Sequence, residues 1–297
     1  RTWCSRSENA ARFRATVGGL GLTGLITRAR LQLRAVRSPW IDEEQIRMPS
    51  LDAFFDLADA SDSSHEHTVA WIDTLAPVSA LGRGIFIRGN HADASSVSAP
   101  PLRHPRLSIP CPAPDFLLNR STIRAFNFLY ARKFSGPRHV GRTHYAPFFY
   151  PLDVLGGWNK LYGKRGFFQH QCVVPRGDNG GPVREMLRTI SASGQPSFLA
   201  VLKIFGNASP EGLLSFPRPG VTLALDFPNR GPDTIALLRE LDAIVFANGG
   251  ALYPAKDARM TPEQFASSFP ALDLFTPHTD PAFSSSFWRR VHGDPSS

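Results

Sequence analysis

Between residues 166 and 255 six segments of alternating hydrophobic period follow one another in a set order, and no other feature of the chain restricts its fold as much. Gly166 to Pro175 alternates like a strand, and Pro182 to Ala192 repeats like a helix. Phe198 to Phe205 and Val221 to Phe227 read as two further strands. Asp233 to Ala247 reads as a helix closed by Gly249-Gly250, and Leu252 to Ala255 as a last short strand. The order β-α-β-β-α-β is a split βαβ unit, which implies an α+β fold with an antiparallel sheet and helices on one face. No internal repeat is evident beyond the two halves of this unit.

Upstream, Ser50 caps a helix predicted over Leu51 to Ala60, and strands are predicted at Thr68 to Ile72 and Gly84 to Arg88. Ile26 to Val36 alternates apolar and basic residues and reads as a strand with one apolar face, ended by Ser38-Pro39. Residues 89 to 118 are rich in Ser, Pro and His, as a functional loop would be. A helix is predicted over Ser121 to Arg132, and a closing helix at Thr261-Pro262-Glu263-Gln264, which has the capping-box pattern.

The chain has 297 residues, 42% of them hydrophobic and 20% charged, enough for one large domain or two ordinary ones. Its net charge of +8 suits anionic partners such as lipid headgroups or phosphorylated substrates. The basic residues are scattered, without a nucleic-acid type run, so no nucleic-acid partner is expected. Three widely spaced cysteines, Cys4, Cys111 and Cys172, fit neither a disulfide framework nor a CxxC metal site. They point to a reducing compartment, hence a cytoplasmic protein. No apolar run reaches the roughly 18 residues of a membrane span. The chain opens at Arg1 without a signal-type stretch and reads as a piece of something longer.

Single motifs decide little. Gly19-x-Gly21-x-x-Gly24 fits a dinucleotide fingerprint, but it leads into a predicted strand rather than a helix, and a tight turn explains it as well. Gln169 and Gln171 share one strand face, which is either exposed or a polar pocket wall, while His170 faces the other way and reads as structural. Lys203, and Lys256 after Tyr253-Pro254-Ala255, are surface lysines or charge-balancing groups. His65-Glu66-His67 lacks the spacing and the third ligand of a metal site. No metal is expected. The sequons at Asn119 and Asn207 read as chance.

Taken together the segments are more specific. Phe13 to Gly24, Tyr150-Pro151-Leu152-Asp153, Gly157-Trp158-Asn159, Gly166 to Pro175, Lys203-Ile204-Phe205-Gly206, Leu214-Ser215-Phe216-Pro217, Leu252 to Asp257 and Asp280 to Arg290 follow in order. That series resembles the vanillyl-alcohol-oxidase superfamily with a bipartite PCMH-type FAD-binding domain, and within it the decaprenylphosphoryl-ribose 2'-oxidase family of cell-wall arabinan biosynthesis. The resemblance implies a substrate cap domain over residues 38–255, the end of an FAD-binding domain at 1–37 and a segment returning to it at 256–297. Most of the flavin half would lie outside this chain.

The resemblance also implies roles. FAD would lie against Gly19, Gly21, Thr23, Gly24 and Leu25, with Tyr253 beside its ring. Lys256 and Tyr253 would be catalytic, Lys256 balancing the charge of reduced flavin. Gln169, Gln171, Lys203, Thr222 and Trp71 would contact substrate, with Trp71 and the loop after Arg88 at the pocket entrance. The family carries Asn and Cys where this chain has Thr222 and Ala224, so a changed pocket wall is implied. The implied reaction is hydride transfer from a secondary alcohol of a sugar or lipid-linked sugar to flavin. A short-chain reductase partner and peripheral contact with the inner membrane go with it. Two alternatives stay open: a sugar-lactone or 2-hydroxy-acid oxidase, against which the ending His292-Gly293-Asp294 argues, and a non-catalytic sugar- or lipid-binding cap.

Overall fold

Period-two alternation builds the centre of the protein. In the computed structural model, which describes residues 1–93 and 107–292, eight strands form one antiparallel sheet. They are β1 (Trp40–Met48), β2 (His67–Ile72), β3 (Gly84–His91), β4 (Arg138–His144), β5 (Phe167–Val174), β6 (Leu199–Phe205), β7 (Gly220–Pro228) and β8 (Ala251–Leu252). The helices are α1 (Ala10–Thr16), α2 (Leu51–Ser61), α3 (Arg120–Tyr130), α4 (Gly181–Ser193), α5 (Pro232–Ala247), α6 (Pro262–Ser268) and α7 (Ser286–His292), with short turns of helix between them.

The predicted unit is present as β5-α4-β6-β7-α5-β8, and its strands lie in the order β8-β5-β7-β6. The expectation of no further repeat is overturned. Residues 40–144 form a second set, β1-α2-β2-β3-α3-β4, ordered β2-β3-β1-β4. The two sets meet at β6 and β2, where Leu202 pairs with Ala70 and Val201 with Trp71. The full order β8-β5-β7-β6-β2-β3-β1-β4 therefore reads the same way from both ends. β1 and β4 escaped notice because charge, not apolar alternation, fills them. Glu44 on β1 is buried between Arg88 of β3 and Arg138 of β4.

One sheet face is covered. Cys172 and Val174 of β5, Ala200 and Leu202 of β6 and Leu223, Leu225 and Phe227 of β7 pack with Met186 and Ile190 of α4, Leu238 and Leu241 of α5 and Phe54 of α2. Each of the Val, Leu, Ile, Met and Phe side chains among them contributes roughly 1.5–3 kcal/mol by leaving water. Ala15 and Leu22 near the N-terminus and Phe265, Phe269, Phe275 and Trp288 near the C-terminus join the same core. α3 lies on the opposite face, where Tyr130 packs over Trp71 at 4.7 Å and Phe126 over Phe198 at 5.0 Å. Asn119 caps this helix by accepting from the amides of Ser121 and Thr122, which gives the first sequon residue a structural task.

The strand predicted at Ile26 to Val36 is not formed. The segment pairs with no strand among the described residues, and Leu31 and Leu33 are exposed. Alternation marks a chain able to join a sheet, but pairing needs a neighbour. The loop after Arg88 and the ending at Gly293-Asp294 fall in large part outside the described residues.

A buried polar knot fixes the C-terminal segment to the sheet. His170 Nε2 lies 3.0 Å from Asp242 Oδ1 on α5, and Arg259 donates to Asp242 Oδ2 at 2.7 Å. Burial pushes the Asp242 carboxyl up, but the His170 hydrogen bond and the Arg259 charge outweigh it and hold the group below 3.8. A depressed acid stabilises the fold above its unfolded value and loses that contribution as pH falls through its folded value. Urea titration of Asp242→Ala should show a loss of about 3–5 kcal/mol, because the buried His170 and the half-buried Arg259 are left unpaired. The unvaried protein should lose stability as pH drops below 3.8, and the variant should lose less over that interval.

Candidate functional site on the open sheet face

The residues that alternate with the core point to the other side. Gln169 and Gln171 on β5, Thr222, Ala224 and Asp226 on β7, Val201 and Lys203 on β6 and Trp71 on β2 share this face. Register sets them in rows. Gln171, Ala224, Val201 and Trp71 form one, Lys203 and Thr222 lie in the next, and Gln169 pairs with Asp226 in a third. With neighbouring strands about 4.8 Å apart, Gln171 and Trp71 stand roughly 14 Å from each other. The structure thus brings the implied substrate residues onto one surface. Trp71 is only 7% exposed and lies under Tyr130, so it serves as a wall rather than an open rim.

Tyr253 and Lys256 approach from the end of β8. The Tyr253 amide donates to the Gln171 carbonyl at 2.8 Å, and a turn of helix over Pro254–Lys256 returns Lys256 toward the sheet. Lys256 comes close enough to act on two groups. Burial and then the Lys256 charge lower the Lys203 pKa. Burial raises the Asp226 pKa, and the Gln169 hydrogen bond and Lys256 charge only partly offset it.

Asp226 is the residue that reading the sequence missed as a site member. It is 2% exposed, and its Oδ1 accepts from Gln169 Nε2 at 3.0 Å, while Oδ2 has no partner. The Tyr162 hydroxyl is likewise buried without a partner, its pKa raised by burial and by the Asp226 charge. An ionisable group left half-satisfied in a protein interior is costly, and such groups concentrate where ligands bind. The signal was present: Asp226 is two and four residues beyond Ala224 and Thr222, hence on their face. Gln171 Nε2 donates to Thr222 Oγ1 at 3.3 Å, which ties the altered position to the pair of glutamines.

The glycine loop after α1 divides into two roles. A Cβ on Gly19 would stand 2.1 Å from the Ala15 carbonyl oxygen, so packing alone demands glycine there. The Thr23 hydroxyl is buried against that of Thr16 at 2.9 Å. Gly21 has open space around it, Gly24 holds φ +124°, and Leu25 is 76% exposed, so these three offer accessible backbone. The loop is joined to the site through residues 212–216. The Leu213 amide donates to the Arg14 carbonyl at 2.9 Å, and Phe216 packs on Tyr253 with ring centroids 4.8 Å apart. Among the described residues no group of three His, Cys, Asp or Glu could hold a metal ion, and Glu66 is engaged by Arg34 at 2.7 Å.

The chain is 36% identical over 273 residues to the decaprenylphosphoryl-β-D-ribose oxidase of Mycolicibacterium smegmatis, which covers 88% of this chain and 58% of that protein. An uncharacterised protein in the mprA 5' region of Streptomyces coelicolor is 33% identical over 277 residues, covering 89% of this chain and 74% of its own length. Over most of its length the chain is thus similar to a protein named as a decaprenylphosphoryl-β-D-ribose oxidase. No family model matches it. It spans 58% of the length of the named oxidase. Among solved structures, a variant of Physcomitrella patens BBE-like 1 superposes with a TM-score of 0.56 at 9% identity, over 92% of this chain and 58% of that one. This likeness supports the α+β cap architecture.

The two facing cations give a direct readout. With its pKa lowered, Lys203 should be acylated fastest of the lysines by a small amine reagent near neutral pH, as followed by peptide mass spectrometry. Lys256→Gln removes the second charge and should slow Lys203 labelling. Unchanged labelling would mean the two ammonium groups do not feel each other.

Proposed function

We propose that this chain forms the substrate side of an FAD-dependent oxidoreductase that oxidises a secondary alcohol of a sugar, with a polyprenyl-phosphate-linked pentose as the substrate class. The observation that carries the reading is the half-satisfied Asp226 carboxylate on the open face, flanked by Gln169 and Lys256. Similarity to the Mycolicibacterium smegmatis oxidase supports it, as the name of that relative states its substrate.

The residues fit a flavin. Gly21, Gly24 and Leu25 leave backbone accessible, and a cation and a phenol, Lys256 and Tyr253, sit together at the end of β8. Bound flavin would supply the acceptor for two electrons and a hydrogen. The protein's part is orientation and proton handling. Gln169 and Gln171 present amides along one row-spaced edge, suited to paired sugar hydroxyls. Asp226 Oδ2 takes the proton of the hydroxyl being oxidised, as the carbon-bound hydrogen departs with its electron pair and the alcohol becomes a ketone. A raised pKa brings the carboxylate nearer to the basicity this step needs. Lys203 and Lys256 hold the anionic part of the substrate and balance charge that develops. The ketone product then suits a short-chain reductase partner, for net epimerisation.

FAD titration with a visible spectrum, followed by anaerobic addition of a phosphopentose lipid, tests the reading. A perturbed flavin spectrum that bleaches on substrate addition is the expected result. A flavin that binds but is bleached instead by a sugar lactone would replace the substrate assignment. In flavin-loaded protein, Asp226→Asn should slow bleaching by about 10²–10⁴-fold with flavin affinity unchanged. Full bleaching speed in that variant would remove Asp226 from the proton step.

A further inference from the structure

One aromatic ring crosses the strand that carries Asp226. Tyr162 closes the short turn of helix over Trp158–Tyr162 and is 3% exposed. Its ring stacks on Phe167 of β5 with centroids 4.2 Å apart, and meets Phe198, just before β6, edge-on at 6.2 Å. β7 lies between β5 and β6 in the sheet. Phe167 precedes Gln169 by two residues and so points to the open face. A ring that packs on both flanking strands over this face spans β7. The β7 residue that points to it there is Asp226, which pairs with Gln169 on one side and Leu199 on the other. The Phe198 amide donates to the Asp226 carbonyl at 3.2 Å, which ties the two levels together.

The two side chains complement each other without being joined. The Tyr162 hydroxyl has no hydrogen-bond partner among the described residues, and neither has Asp226 Oδ2. A phenol has a proton to donate, and a carboxylate oxygen can only accept. Burial, and then the Asp226 charge, raise the Tyr162 pKa, so the phenol stays protonated near neutral pH. The contacts around the ring are apolar. Trp158, Phe167 and Phe198 surround it, and Leu75, Leu118 and Ile123 complete the cluster. A phenylalanine would fill the same space without the cost of an unpaired buried polar group. This packing also fixes the ring, so the hydroxyl is positioned in advance of any ligand.

Given the alcohol oxidation proposed above, on which this rests, we propose that Tyr162 and Asp226 together clasp the hydroxyl that is oxidised, Tyr162 donating to its oxygen and Asp226 Oδ2 accepting its proton. A hydroxyl both accepts and donates, so it answers both unpaired atoms at once, whereas an ether or ketone oxygen can only accept. The hydroxyl proton passes to Asp226 Oδ2, the carbon-bound hydrogen leaves with its electron pair for the flavin, and the C–O single bond becomes a double bond. The oxygen gains negative charge part-way through this step, and the Tyr162 O–H stabilises that charge. In the product the ketone oxygen accepts from Tyr162 and from the now protonated Asp226. An analogue without the hydroxyl is rejected, because it leaves both buried groups unpaired.

Tyr162→Phe, measured beside the unvaried protein, tests this role. Both proteins are loaded with FAD and titrated with the phosphopentose lipid and with a monodeoxy analogue lacking the oxidised hydroxyl, binding being read from the flavin spectrum. Tyr162→Phe should slow bleaching by the alcohol about 10²–10³-fold. It should also weaken binding of the alcohol at least tenfold, while the deoxy analogue binds both proteins alike. Combined with Asp226→Asn, it should cost far less than the two single losses multiplied, since both groups act on one oxygen. The urea midpoint of Tyr162→Phe should not fall, because the folded chain gives the hydroxyl no partner. Unchanged bleaching and binding in Tyr162→Phe, an equal loss of the deoxy analogue, losses that simply multiply, or a lowered urea midpoint would each overturn the assignment. In all four cases the unvaried protein still oxidises the alcohol, and the function proposed above stands. If no alcohol bleaches the unvaried protein, both fall together.

Discussion

The strict alternation of side chains along β7 is the constraint on which the rest depends. Leu223, Leu225 and Phe227 are drawn into the core, and geometry then leaves Thr222, Ala224 and Asp226 no other direction than the open face. A register slip of one residue would carry Asp226 into hydrocarbon and put three large apolar side chains in water. The core therefore fixes the site, and it does so with residues that never touch it. The same holds on β5, where burial of Cys172, its thiol pushed up to about 12 by desolvation, and of Val174 aims both glutamines outward.

What could be read from sequence follows from what stabilises each element. The unit from residue 166 to 255 was legible because apolar alternation runs unbroken along β5, β6 and β7, and because α5 ends at a glycine pair. β1 and β4 were not, since Glu43, Glu44 and Gln45 in one and Arg138, His139 and Arg142 in the other contradict the pattern of a buried strand. Ion pairing of Glu44 with Arg88 and Arg138 across three strands supplies what apolar contacts supply elsewhere. Ile26 to Val36 is the opposite case, a good pattern without a partner in the described chain. For the site, motif resemblance found the glutamines and lysines but not Asp226. An acid two residues past a recognised position looked like the end of a strand, and only its half-empty hydrogen bonding distinguishes it.

Two copies of one strand order joined at β2 and β6 explain the breadth of the open face. A single split βαβ unit presents four strands, too few to seat both a polar row and an aromatic wall. The seam places Trp71 of one unit in line with Gln171 of the other. Because α3 covers Trp71 of the first unit while Lys203 of the second stays exposed and Gln171 half-buried, the two units have different surfaces despite equal strand order.

A sheet that reads the same from both ends also finishes twice, in strands that among the described residues are paired on one side only. At one end β8 is only two residues long, too short to recruit another chain. At the other, β4 offers seven residues whose outer edge meets no strand among the described residues. Its arginines at positions 138 and 142 and the proline just before it are features that blunt such edges against self-association. The charges that hid this strand from pattern reading thus also act as a safeguard: they keep the protein's last strand from templating growth of the sheet into a neighbour.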